Sequence, residues 1–202
     1  MVTRPRRPAA EGRCGLNRVR IVGGTHRGRK IAFPDAAGLR PTGDRVRETL
    51  FNWLQPVVSG SRCLDLFAGS GVLGLEAASR GAAEVVLVEA APEVARALRQ
   101  TVDELGLGDR VRLVESDALR WLEAAALIPF DIVFLDPPFA AGLMADAAAA
   151  LEQGGWLAEG ALIYLERAEV QGPWPMPSNW TLVRDKHAGQ VSYALARRRH
   201  LG

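Results

Sequence analysis

Asp136-Pro137-Pro138-Phe139 places one carboxylate, two residues without backbone N–H donors and one aromatic ring in four consecutive positions. They follow the apolar run Phe130-Asp131-Ile132-Val133-Phe134-Leu135, and a buried strand over 130–136 is expected. Pro137 and Pro138 have fixed φ and cannot join a sheet ladder, so the turn after the strand is stiff. The chemistry that suits this group is methylation of an exocyclic amine on a flat ring. Such an amine is a poor nucleophile, because its lone pair is delocalised into the ring. The Asp136 carboxylate and the Pro137 carbonyl can accept its two hydrogens and turn the lone pair out of the plane, while Phe139 stacks on the base. A structural Pro-Pro turn at a strand end would give the same four residues.

A second group lies upstream. Gly69, Gly71 and Gly74 fit G-x-G-x-x-G within the stretch Cys63 to Gly74, and Glu89 follows Gly69 by twenty residues. That spacing suits an acid on ribose hydroxyls. The glycines alone would equally suggest a dinucleotide. Asp65, just before the turn, weighs against one, since it would repel a pyrophosphate. It suits the ammonium and sulfonium charges of S-adenosyl-L-methionine. Asp117, in Ser116-Asp117-Ala118, can accept an adenine amino group. Asp65, Glu89, Asp117 and Asp136 thus stand at four expected strand ends. The candidate cofactor residues are Asp65, Phe67, Ala68, Gly69, Ser70, Gly71, Glu89, Asp117 and Ala118, with Thr42 and Arg45 from an upstream helix start.

The elements that must position these groups alternate from residue 62 onward. Strands are expected at 62–67, 84–89, 111–115, 130–136 and 161–166, and helices at 71–80, 92–105, 118–127 and 143–153. Such alternation argues a parallel sheet wound on both faces. After residue 168 a proline-rich loop leads to two strands, Trp180–Lys186 and Val191–Arg197, across a Gly189 turn, which implies an antiparallel edge. Upstream, Arg20-Ile21-Val22 and Lys30-Ile31-Ala32-Phe33 flank a glycine-rich basic loop and read as a β-hairpin. Thr42 is expected to cap a helix whose apolar stripe is Val46, Leu50, Trp53, Leu54 and Val57. The division expected is a disordered basic tail at 1–19, a hairpin and helix at 20–60, and an α/β domain at 61–202.

The chain of 202 residues carries a net charge of +2, but residues 1–60 hold 12 Lys and Arg against 4 Asp and Glu, and the remainder 13 against 19. The basic end is nearly all arginine, the better fork for phosphate. It reads as a nucleic-acid approach surface, with Arg20, Arg27, Arg29, Lys30, Arg40 and Arg47 as RNA contacts. Two cysteines and three scattered histidines leave no ligand-spaced set, so no metal site or disulfide framework is expected. No apolar run spans a bilayer, no secretory signal is present, and a reducing cytoplasm is the expected setting.

The chain resembles the RsmD-type methyltransferases of small-subunit ribosomal RNA, whose activity is named 16S rRNA (guanine(966)-N(2))-methyltransferase. The resemblance runs from Arg20 to about Arg197. It rests on Arg20-Ile21-Val22-Gly23-Gly24, Arg27-Gly28-Arg29-Lys30, Leu39-Arg40-Pro41-Thr42 and Asp44 to Leu54. Phe67-Ala68-Gly69-Ser70-Gly71, Asp136-Pro137-Pro138-Phe139, Gly155-Trp156-Leu157-Ala158 and Ala188-Gly189-Gln190-Val191 complete it. It implies a Rossmann-like class I methyltransferase fold with a seven-stranded, mostly parallel sheet plus the N-terminal hairpin and helix. It also implies S-adenosyl-L-methionine as donor and a guanine N2 amine on the assembled small subunit as acceptor, with Asp136, Pro137, Pro138 and Phe139 catalytic. A monomer is expected. DNA adenine-N6 methylation would use the same Asp-Pro-Pro-Phe turn, though no separate DNA-recognition domain is visible. A non-catalytic ribosome assembly factor would have no need of Asp136 or the glycine turn.

Overall fold

The computed structural model describes residues 16–34, 42–124, 128–138, 142–168 and 172–199. In chain order the elements are β1 (Leu16–Arg20), β2 (Lys30–Pro34), α1 (Asp44–Leu54), β3 (Arg62–Asp65), α2 (Val72–Ser79), β4 (Glu84–Glu89) and α3 (Pro92–Leu105). There follow β5 (Val111–Glu115), α4 (Ala118–Leu122), β6 (Phe130–Leu135), α5 (Leu143–Gln153), β7 (Leu157–Ala168), β8 (Trp180–Ala188) and β9 (Val191–Arg198).

Seven strands form one sheet in the order β5-β4-β3-β6-β7-β9-β8, and β1 and β2 pair separately as an antiparallel hairpin. β3 to β7 run parallel, while β9 is antiparallel to both β7 and β8. This is the α/β fold expected of a class I methyltransferase, antiparallel edge included. Strand order turns at β3, which lies between β4 and β6. The crevice at such a switch, outside the carboxyl ends of the strands, is where open α/β sheets bind ligands.

Buried strands with both faces covered read as continuous apolar runs, and Val85-Val86-Leu87-Val88 and Ile132-Val133-Phe134-Leu135 are fully buried for that reason. One core packs α1, α2 and α3 on one face, through Leu50, Phe51, Leu75, Leu98 and Phe134 among others. The other packs α4 and α5 on the opposite face, through Leu122, Val133, Ala147 and Leu151. Ile21 and Ile31 of the hairpin segment belong to the first core, as does Val58 after α1. The described parts of residues 20–60 therefore share their core with the sheet.

Two expectations change here. Leu16 to Val19, expected within a disordered tail, pair with Pro34 to Ile31, and residues 1–15 lie outside the described residues. Thr42 is not the helix cap: Gly43 holds that position without a side-chain bond, and the Thr42 hydroxyl points elsewhere.

Candidate active site

The glycine turn is built by backbone geometry. Gly69 and Gly71 have φ of 51° and 71°, a left-handed conformation in which a Cβ is strained. Gly71 donates to the Ala68 carbonyl at 2.6 Å and opens α2. Gly74 serves packing instead, since a Cβ there would stand 2.3 Å from Leu87 Cδ2. Ala68 and Ser70 are buried and Phe67 packs against the second core.

The acids stand in a row along the carboxyl edge, in the spatial order Asp117, Glu89, Asp65, Asp136. Glu89 ties the turn to its own strand: Oε2 accepts from the Gly69 N–H at 2.8 Å and Oε1 from Ala91 at 2.7 Å. Asp65 is 2% exposed and accepts from the Gly74 N–H at 2.9 Å. Burial pushes its carboxyl up to about 7, the Gly74 bond opposing and the nearby Glu89 charge adding to the rise. Asp117 caps α4, accepting from the Arg120 N–H at 3.0 Å, with Ala118 buried behind it.

Asp136 is half-buried directly after β6, Pro137 is buried and Pro138 exposed. Burial first, then the charges of Glu166 and Asp65, hold the Asp136 carboxyl well above the usual carboxylate range, with the Thr42 hydroxyl opposing. Thr42 is buried against this group, 3.0 Å from Glu166 Oε2 and 3.5 Å from Asp136 Oδ2. Glu166 escaped the sequence reading, although it ends an expected strand as Asp65 and Asp136 do. Phe139 and Arg40 lie outside the described residues.

The arginines divide. Arg47, expected at the RNA surface, is 0% exposed. Its guanidinium bonds the carbonyls of Thr42 (3.0 Å) and Arg20 (2.7 Å) and the Asp44 carboxylate (2.7 Å). An RNA contact by Arg47 is therefore withdrawn: its donors hold the hairpin to α1. Arg20, Lys30 and Arg45 are exposed near the start of α1, Arg20 pairing with Asp44 at 2.7 Å. Arg27 and Arg29 are exposed on the hairpin loop. There the loop is pinned to the ends of α2 and α3 by His26 N–H on Ser79 Oγ, the His26 ring at the Leu105 carbonyl and Arg29 on the Glu104 carbonyl.

A methyl donor bearing sulfonium and ammonium charges fits this edge. Asp65, Glu89, Asp117 and Asp136 stand along the carboxyl edge, and among the described residues none of them is in a salt bridge. No group of three or more His, Cys, Asp or Glu among the described residues is arranged to hold a metal ion.

Residues 19–197 match the family model described as "Conserved hypothetical protein 95". The chain is 50% identical to ribosomal RNA small subunit methyltransferase D of Escherichia coli strain K12 over 188 residues, 93% of this chain and 94% of the relative. The chain belongs to that family. The namesake in Haemophilus influenzae is 46% identical, covering 88% of this chain and 92% of the relative. A solved Escherichia coli structure, 48% identical, overlays with a TM-score of 0.84 over 91% of this chain and 99% of that one. Members of this family are ribosomal RNA methyltransferases, and the methyl donor of this fold, S-adenosyl-L-methionine, is the cofactor.

Proposed function

We propose that the chain methylates the exocyclic N2 amine of one guanine, position 966 of 16S ribosomal RNA, on the assembled 30S particle, acting as a monomer in the cytoplasm. The observation that carries this reading is the placement of Asp136. It ends β6 one strand from the glycine turn on β3, at the point where the sheet order reverses.

The division of labour follows. The turn from Phe67 to Gly71 with Asp65 and Glu89 holds the methionine and ribose ends of the donor, and Asp117 with Ala118 holds the adenine. Thr42 closes the site from above. Asp136 and the Pro137 carbonyl accept the two amine hydrogens, Pro138 keeps the turn rigid and Phe139 stacks on the guanine. When bound, S-adenosyl-L-methionine supplies an electrophilic methyl group whose carbon–sulfur bond breaks, its electron pair going to sulfur, as the nitrogen–carbon bond forms. Residues 20–60 present Arg20, Lys30 and Arg45 to the RNA backbone beside the site, and residues 61–202 perform the transfer.

Asp136 orients the acceptor rather than the donor, so its loss acts on the transition state. Asp136→Ala is expected to abolish labelled-methyl transfer to small subunits while calorimetry shows donor binding close to that of the parent. Normal turnover in that variant would remove Asp136 from the mechanism.

A further inference from the structure

Leu135 on β6 and Leu165 on β7 are register partners, so the next residues of these parallel strands, Asp136 and Glu166, are neighbours on one face of the sheet. Glu166 is 5% exposed. Its Oε2 accepts from the Tyr164 hydroxyl at 2.6 Å. The Thr42 hydroxyl lies between the two acids but has one hydrogen to give, and the shorter distance assigns it to Glu166. Among the described residues neither acid is in a salt bridge. The groups facing the pair are Asp65 from β3, Tyr164 on β7, Tyr193 on β9 and Thr42 ahead of α1. On α1, Nη1 and Nη2 of Arg47 bond carbonyls and Asp44, not the pair.

Two carboxylates side by side in a buried place cannot both ionise cheaply. We infer that Glu166 is a positioning residue that shares one proton with Asp136, and so sets the pH at which Asp136 becomes the carboxylate that receives the proton of the substrate amine. The inference rests on the proposed role of Asp136. As the nitrogen–carbon bond forms, the amine nitrogen becomes cationic. One N–H bond then breaks, its electron pair stays on nitrogen, and the proton goes to an Asp136 oxygen. That oxygen must be free of a proton beforehand. Two hydroxyl donors favour Glu166 as the anion of the pair, which leaves the shared proton on Asp136 in the resting protein. The two acids titrate as a unit. Burial raises both carboxyls, Asp136 further through the charges of Glu166 and Asp65.

The sign of the test follows from removing one charge. In Glu166→Gln nothing at that position opposes ionisation of Asp136, so the acid limb of the single-turnover rate should move to lower pH, whatever the height of the plateau. An unmoved limb with a uniformly lower plateau would mean that Glu166 only packs, and would overturn the inference. A second readout needs no RNA. The donor-free parent at neutral pH should show an infrared carbonyl band of a protonated carboxylic acid that is diminished in both Glu166→Gln and Asp136→Asn. The share of the band that belongs to Asp65 is read separately, from Asp65→Asn. Identical spectra overturn the shared proton even if methylation is confirmed. A diminished band in both variants, with no methylation of ribosomal RNA by the parent, would leave the pair standing and sink the proposed function instead.

Discussion

Asp65 makes its own pH dependence. Its folded carboxyl lies at about 7 against an ordinary 3.8, a raised value. Between those two values the folded protein binds more protons than the unfolded chain, so stability falls as pH rises through the window. Asp136 and Glu166 act in the same direction, so Asp65→Asn should flatten the fall in donor-free melting temperature between about pH 4 and about pH 7 without abolishing it. A cationic donor favours the ionised acid. Donor affinity in the parent should therefore rise with pH toward neutrality, and binding at mildly acidic pH should release a proton, read by calorimetry in buffers of different ionisation enthalpy. Unchanged proton release in Asp65→Asn would show that Asp65 does not meet the donor's charge. At this scale the sequence marked Asp65, Glu89, Asp117 and Asp136, because an acid after an apolar run is a visible break in pattern. Glu166 was hidden by its successor: Glu166-Arg167 at the end of a strand reads as an ordinary return to solvent. Arg47 was misread for a related reason. Three residues after Asp44 in a first helical turn, it looks like one half of a surface ion pair, and its burial on the Thr42 and Arg20 carbonyls shows only in the fold.

The parallel sheet and its helices were legible because strands buried on both faces and helices buried on one carry different periods. α3 and α5 begin and end where the pattern places them. β7 runs longer than expected, from Leu157, because its first residues are partly exposed and carry Gly160. The hairpin is present, but its first strand lies at Leu16–Arg20 rather than at Arg20-Ile21-Val22, since Leu16 to Arg20 have no alternation and are a strand through pairing with β2. The glycine pair Gly23-Gly24 opens the hairpin loop. It is a close approach: Gly24 has φ of 73°, and a Cβ there would stand 2.0 Å from the Ser79 carbonyl oxygen. The third glycine of the main turn obeys the same logic at the junction of α2 and β4. Gly74→Ala would drive a methyl group to 2.3 Å from Leu87 Cδ2 and 3.3 Å from Asp65 Cβ. Overpacking of this kind costs about 1–3 kcal/mol, so the urea midpoint should fall with an unchanged slope, and donor binding should weaken as Asp65 shifts. A midpoint equal to the parent's would mean that α2 can lift off the sheet at little cost.

Across the whole molecule the described cations of the hairpin run from the start of α1 along its loop. Arg20 and Lys30 are paired in register and exposed close to the entry of α1, beside the acid row. Arg27 and Arg29 follow on the hairpin loop, which reaches the end of α3 through Arg29 on the Glu104 carbonyl. Each lost phosphate contact should flatten the log–log salt dependence of particle binding by about 0.7–0.9. Joint replacement of Arg20, Lys30 and Arg45 by alanine should therefore weaken binding and lower the slope more than replacement of Arg27 and Arg29. The reverse order would place the RNA against the loop edge. The measurement that tests the central claim most directly is mass spectrometry of nucleosides and fragments from 16S ribosomal RNA of a strain lacking this gene, treated with the parent protein or with Asp136→Ala. One N2-methylguanosine at position 966 should appear with the parent and not with the variant. A methylated adenine, a methyl group elsewhere on guanine, or no change with the parent would contradict the account.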